Sequence, residues 1–128
     1  AFDWITGLSD GDEKINDEIF HITLADPELY TNGVYNDEFL IESGTYFFRF
    51  VPNGSSPEIL SIKLIGQNYT FEENFELVGI PHESETAKYF TWKYDGNEKI
   101  IIESSQEISI TINPNGNVKG SVSVDLIK

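Results

Sequence analysis

Apolar side chains recur at every second position along most of this chain, the period of a pleated strand and not of a helix. The densest example is the stretch 38–65. In residues 45–51, Tyr46, Phe48 and Phe50 share one face while Phe47, Arg49 and Val51 share the other. In residues 59–65, Leu60, Ile62 and Leu64 lie opposite Ser61 and Lys63. Between the two runs stands Pro52-Asn53-Gly54-Ser55-Ser56-Pro57, rich in turn formers. The pattern predicts a hairpin with one wet side, offering the thickest apolar surface in the chain for the other strands to pack on.

The same period runs through the rest. Residues 18–24 alternate Phe20, Ile22 and Leu24 with Ile19, His21 and Thr23, and Asp26-Pro27-Glu28 stops them, because proline cannot continue a ladder. Residues 29–37, with the Asn32-Gly33 turn signal, fit a short strand pair or an ordered loop. A short strand is expected over 39–42. Residues 69–78 fit either a hairpin or one bulged strand, and 79–86, with Pro81 and His82, read as a polar loop. Residues 88–94 predict a strand whose Phe90, Trp92 and Tyr94 face the core and whose Tyr89, Thr91 and Lys93 face away. Asp95-Gly96 then signals a hairpin into residues 99–103. Residues 107–112 turn Ile108, Ile110 and Ile112 one way. After the turn at Asn113-Pro114-Asn115-Gly116, residues 120–127 put Val122, Val124 and Leu126 inside and Ser121, Ser123 and Asp125 outside.

Eight or nine short strands with turns every 8–12 residues, and no stretch of helical period, predict an all-β fold: an antiparallel β-sandwich or jelly roll with little or no helix. One polar face per strand favours antiparallel pairing, since buried parallel strands are apolar on both faces. At 128 residues the chain forms one domain, 1–128, able to hide roughly two-thirds of the surface of its unfolded form without covalent staples.

Composition narrows the partners. Asp and Glu number 22 against 8 Lys and Arg, a net charge of −14 that repels nucleic acid and anionic lipid and favours divalent cations or basic partners. Aromatic residues at 13% argue against an unstructured acidic polypeptide. No apolar run approaches the ~20 residues of a membrane-crossing helix. With no cysteine, disulfides, thiol catalysis and Cys-ligated zinc are excluded. The start at Ala1-Phe2-Asp3-Trp4 resembles a mature product after leader removal, so a secreted or cell-surface location is expected.

Candidate sites are few. Phe2, Trp4, Ile5 and Leu8 make residues 1–8 an apolar arm, suited to an edge strand on its own core or to strand addition on a neighbouring subunit. Asp10, Asp12, Asn16 and Asp17 supply oxygen ligands of the kind calcium takes, although Lys14 and Ile15 break the EF-hand pattern and a solvated acidic turn fits as well. His21 reads as a satisfied structural histidine. His82, with Glu83 or Glu85, reads as part of a solvated loop or as a metal ligand. Two separated histidines supply neither the set of three or four N or S ligands that zinc prefers nor a nucleophile–base pair. Tyr30, Tyr35, Tyr69 and Tyr89 are candidate ligand-binding aromatics, able to stack on sugar rings. Asn53 and Asn68 each begin an N-glycosylation triplet.

The layout, including the Gly44-Thr45-Tyr46 lead into a strand and the Asp95-Gly96 turn, resembles small extracellular β-sandwich accessory modules of the carbohydrate-binding and peptidase-associated types. The resemblance implies a non-catalytic module with a protein or carbohydrate partner at the cell surface, and no cofactor beyond calcium. A structural subunit of a surface layer or filament, self-assembling through residues 1–8, is the alternative. A small glycan-active enzyme using paired carboxylates is a third reading.

Overall fold

A computed structural model describes residues 18–128. It contains nine strands: β1 Glu18–Leu24, β2 Tyr35–Ile41, β3 Gly44–Val51, β4 Ile59–Ile65, β5 Thr70–Glu83, β6 Lys88–Asp95, β7 Lys99–Ile102, β8 Gln106–Asn113 and β9 Val122–Ile127. One 3-10 turn, Pro27–Leu29, is capped by the Asp26 carboxylate, which accepts from the Glu28 N–H. The strands form two antiparallel sheets, a four-stranded one in the order β1-β9-β3-β7 and a five-stranded one in the order β2-β8-β4-β5-β6. The all-β sandwich expected from the period-two pattern is the fold observed.

The inward rows are those that the alternation marked. Tyr46 and Phe48 from β3, Leu60, Ile62 and Leu64 from β4, Ile108, Ile110 and Ile112 from β8, and Val122, Val124 and Leu126 from β9 are all buried. Phe48 and Phe50 of the smaller sheet meet Phe71 and Phe75 of the larger, with ring centroids 4.8–5.9 Å apart. Two tyrosines close the ends of this layer by giving their hydroxyl protons to backbone carbonyls, Tyr46 to Glu42 at 2.8 Å and Tyr94 to Pro57 at 2.6 Å.

Connectivity departs from the sequence reading. Strands β3 and β4 do not form a hairpin; they lie in opposite sheets. Residues 52–58 pass from one layer to the other, bounded by prolines that have no N–H for a ladder. The buried Ser56 anchors this crossing: it accepts from the Asn53 N–H at 2.9 Å and donates to the Ser121 carbonyl just ahead of β9. Likewise Asp95-Gly96 is no hairpin turn, because β6 and β7 belong to different sheets. Tyr94 and Ile100 are both buried on the inner faces of opposite layers, and that burial overrides the local turn preference. Only β4–β5 and β5–β6 are joined within one sheet. The Asn32-Gly33 and Asn115-Gly116 signals hold: all four residues have positive φ, at 54°, 86°, 54° and 96°, as a turn with two left-handed central residues demands.

Two further differences concern length. Residues 69–78 form neither a hairpin nor a bulged strand, and of the loop expected over 79–86 only the turn at 84–86 is found: β5 runs unbroken from Thr70 to Glu83 and pairs with β6 down to Glu83 opposite Lys88. Pro81 is tolerated there for a geometric reason. The Leu77 N–H points toward the β4 side, where it meets the Glu58 carbonyl at 2.8 Å. By alternation the Pro81 nitrogen points the same way, but past the end of β4, where no ladder needs a donor. The second half of β5 and the first half of β6 therefore form a two-stranded arm beyond the sandwich.

Candidate functional site

The arm carries the aromatic surface that the core does not use. Tyr94 is buried at its base, Trp92 is half-buried, and Phe90 near its tip is 57% exposed, so the expectation that all three face the core holds only for Tyr94 and in part for Trp92. The reason is register: Phe90 lies opposite Pro81, beyond the reach of the smaller sheet. Trp92 lies across Gly79, where a Cβ would come within 2.7 Å of the indole; the missing side chain makes room for the ring. On the other face Tyr89, 53% exposed, stacks on His82 with centroids 5.0 Å apart and planes 12° from parallel. The second imidazole nitrogen partners the Thr91 hydroxyl at 2.9 Å. His82 thus belongs to a strand and not to a loop, and strand alternation turns it away from Glu83. A cavity of about 330 Å³ wraps this end of the arm between Pro81, His82, Glu83, Lys88, Tyr89 and Phe90.

The other candidate tyrosines are not brought to this surface. Tyr30, Tyr35 and Tyr69 pack against the core, and burial raises all three phenol pKa values. Tyr35 is pushed up to about 12 by burial together with the hydrogen bond to, and the negative charge of, Asp37. Among the described residues the buried Tyr30 hydroxyl has no hydrogen-bond partner. Of the two glycosylation candidates, Asn53 already uses its amide. Its oxygen accepts from the Ser55 N–H at 2.8 Å and its nitrogen donates to the Ser121 hydroxyl at 3.0 Å. Asn68 sits exposed in the β4–β5 turn. The calcium set Asp10, Asp12, Asn16 and Asp17 and the assembly set Phe2, Trp4, Ile5 and Leu8 lie outside the described residues.

A second constellation went unrecognised in the sequence. On the outer face of the four-stranded sheet, Asp125 is opposite His21 on β1 and Arg49 on β3. Its carboxylate bonds the His21 Nδ1 through one oxygen and Arg49 through the other, at 3.0 Å to Nε and 2.7 Å to Nη2. Although outward-pointing as expected, Asp125 is only 5% exposed, because the half-exposed His21 and Arg49 side chains cover it. Burial raises its pKa, but the hydrogen bonds and charges of His21 and Arg49 outweigh that and hold it below the usual carboxylate range. Glu18, His21 and Asp125 lie close enough together to share a cation. The guanidinium of Arg49, which also approaches Glu18 at 3.8 Å, already supplies the positive charge there. The row works as an ion-pair clasp across three strands. Only the spacing of one His, one Arg and one Asp at central positions of three strands hinted at it, and that hint needs the strand order to be read.

Neither a family model, a curated protein nor a solved structure matches this chain. No helix among the described residues is long and apolar enough to cross a membrane.

Proposed function

We propose that this chain is a non-catalytic binding or assembly module of the secreted or cell-surface type, and that the β5–β6 arm is its contact surface. The observation that carries this reading is the exposure of Tyr89 and Phe90 on an arm held out beyond the core, with Trp92 half-buried behind them. Large aromatics left uncovered at a rigid, paired strand end are placed to meet a partner, since they supply contact area at low entropic cost. Both histidine rings have structural partners, which speaks for a scaffold over a reaction centre. The partner class is carbohydrate or protein. Phe90, beside Pro81, Glu83 and Lys88 on one face, and Tyr89, stacked on His82 on the other, each offer a ring on which a pyranose can stack its C–H face while its hydroxyls bond to polar neighbours.

The test is an immobilised glycan array, with and without calcium, probed by the wild type and by the double variant Tyr89→Ala, Phe90→Ala. Both positions are exposed, so the variant should keep its melting temperature. Binding by the wild type that falls at least about tenfold in the variant is the expected result, in line with loss of an aromatic anchor. Undiminished binding by the variant rejects the arm as the contact surface, and silence on the array removes carbohydrate as the partner.

A further inference from the structure

Three Asn-Gly pairs lie among the described residues: Asn32-Gly33, Asn53-Gly54 and Asn115-Gly116. Such a pair is chemically labile. The backbone nitrogen of the glycine can attack the asparagine Cγ, and a glycine has no Cβ to crowd that approach. All six residues are exposed, so access to water does not separate the pairs. Hydrogen bonding does.

Asn53 is held at both ends of its amide. Its oxygen accepts from the Ser55 N–H at 2.8 Å and the Ser55 hydroxyl at 2.6 Å, and its nitrogen donates to the Ser121 hydroxyl at 3.0 Å. Gly54 lies against the Trp92 indole, where an added Cβ would come within 3.2 Å of the ring. Asn115 is held by its nitrogen, which lies 2.9 Å from the Ile59 carbonyl, 3.1 Å from the Ser61 hydroxyl and 3.3 Å from the Asn113 carbonyl. These bonds must break before either Cγ can turn toward the following nitrogen.

Asn32 carries no such restraint. Among the described residues neither its side chain nor the Gly33 N–H makes a hydrogen bond, and nothing lies within 4 Å of where a Gly33 Cβ would stand. The turn is closed by one isolated bridge, Thr31 to Val34, with bonds of 2.8 and 3.1 Å. A bridge at a loop tip opens far more readily than a sheet does, and opening lets Asn32 leave its left-handed conformation and align with the Gly33 nitrogen.

We propose that Asn32 is a site of spontaneous modification, converting to aspartate and isoaspartate in the folded chain well ahead of Asn53 and Asn115. The Gly33 nitrogen bonds to the Asn32 Cγ and closes a succinimide ring. The Cγ–Nδ2 bond breaks, and the amide nitrogen leaves as ammonia with the proton of the Gly33 N–H. Water then adds across one of the two ring C–N bonds. Opening at Cγ gives aspartate; opening at the backbone carbonyl carbon gives isoaspartate, whose main chain runs through the former side chain. Both products add a negative charge. Isoaspartate also lengthens the turn, which a loop of two left-handed residues does not absorb without losing the Thr31–Val34 bridge just ahead of β2. The inference is independent of the β5–β6 arm and its partner.

The experiment holds the full chain at mildly alkaline pH, folded in buffer and unfolded in guanidinium chloride. Cleavage after glutamate frees residues 29–38, and mass spectrometry reads amide loss at each asparagine. Dividing the folded rate at each site by its own unfolded rate removes the influence of sequence neighbours. That ratio should be at least about tenfold higher at Asn32 than at Asn53 or Asn115, the effect of one or two hydrogen bonds that need not break. A ratio at Asn32 equal to or below either of the others overturns the proposal. The Asn32 product should contain isoaspartate beside aspartate; aspartate alone would mean direct hydrolysis and overturn the ring-closing step.

Discussion

Replacing Phe75 with alanine should lower the free energy of unfolding by about 3–5 kcal/mol, the range for deleting a buried aromatic ring from a packed core. Phe75 has no exposed surface and sits where the layers meet, its ring 4.8 Å from that of Phe50 and 5.9 Å from that of Phe48. Gly96 lies against the same ring, at the point where the chain leaves β6 for the other sheet. The cavity left by the substitution is thus walled by two sheets and a crossover, none of which can move in without breaking ladder pairs, so little of the loss is recovered by collapse. Urea denaturation followed by Trp fluorescence measures it; the midpoint should fall while the slope stays constant. A loss below about 1 kcal/mol would mean that the layers are not packed through this ring.

Asp125→Ala should cost about 1–2 kcal/mol at neutral pH. Hydrogen bonds to a buried carboxylate are worth roughly that much, and the half-exposed His21 and Arg49 recover water when it is gone. The effect carries a pH signature. Since the folded state holds the Asp125 carboxyl below its ordinary range, the unfolded chain binds that proton more readily. Its contribution is complete above the ordinary carboxylate pKa of about 3.9 and is lost as pH falls toward the lower folded value. The gap between wild type and variant should therefore be full at pH 7 and shrink below about pH 4. Urea midpoints at pH 7 and pH 3 check this; a gap independent of pH would show that Asp125 contributes through packing and not through its charge.

The inward rows were legible because a side chain's face depends only on its neighbours two positions away. Leu60, Ile62 and Leu64, or Ile108, Ile110 and Ile112, could be placed inside without knowing what covers them. What lay beyond local pattern was pairing. Thr45 to Ile65 reads as a hairpin to any local rule, yet β3 finds β9 and β7 while β4 finds β5 and β8, because a sandwich gains more by placing Phe48 and Phe50 opposite Phe71 and Phe75 than by pairing neighbours in sequence. The clasp at Asp125 was hidden for the same reason: His21, Arg49 and Asp125 are brought together only by strand order. The arm was obscured by Gly79 and Pro81, which signal a loop. One makes room for Trp92, and the other faces past the end of β4, where no strand among the described residues needs its donor. Of the candidate tyrosines, sequence could not separate Tyr89 from Tyr30, Tyr35 and Tyr69, since exposure depends on how far the opposite sheet extends.

The account turns on an ordered two-stranded arm that stands clear of a closed core. Amide hydrogen exchange on dilute protein tests this most directly. The Leu60, Ile62, Leu64 and Phe75 amides should exchange only through global unfolding, while those of Ile80 and His82, which face β6, should be protected to a clearly smaller yet measurable degree. Ile80 and His82 amides that exchange like those of an open loop, or as slowly as Phe75, would contradict it.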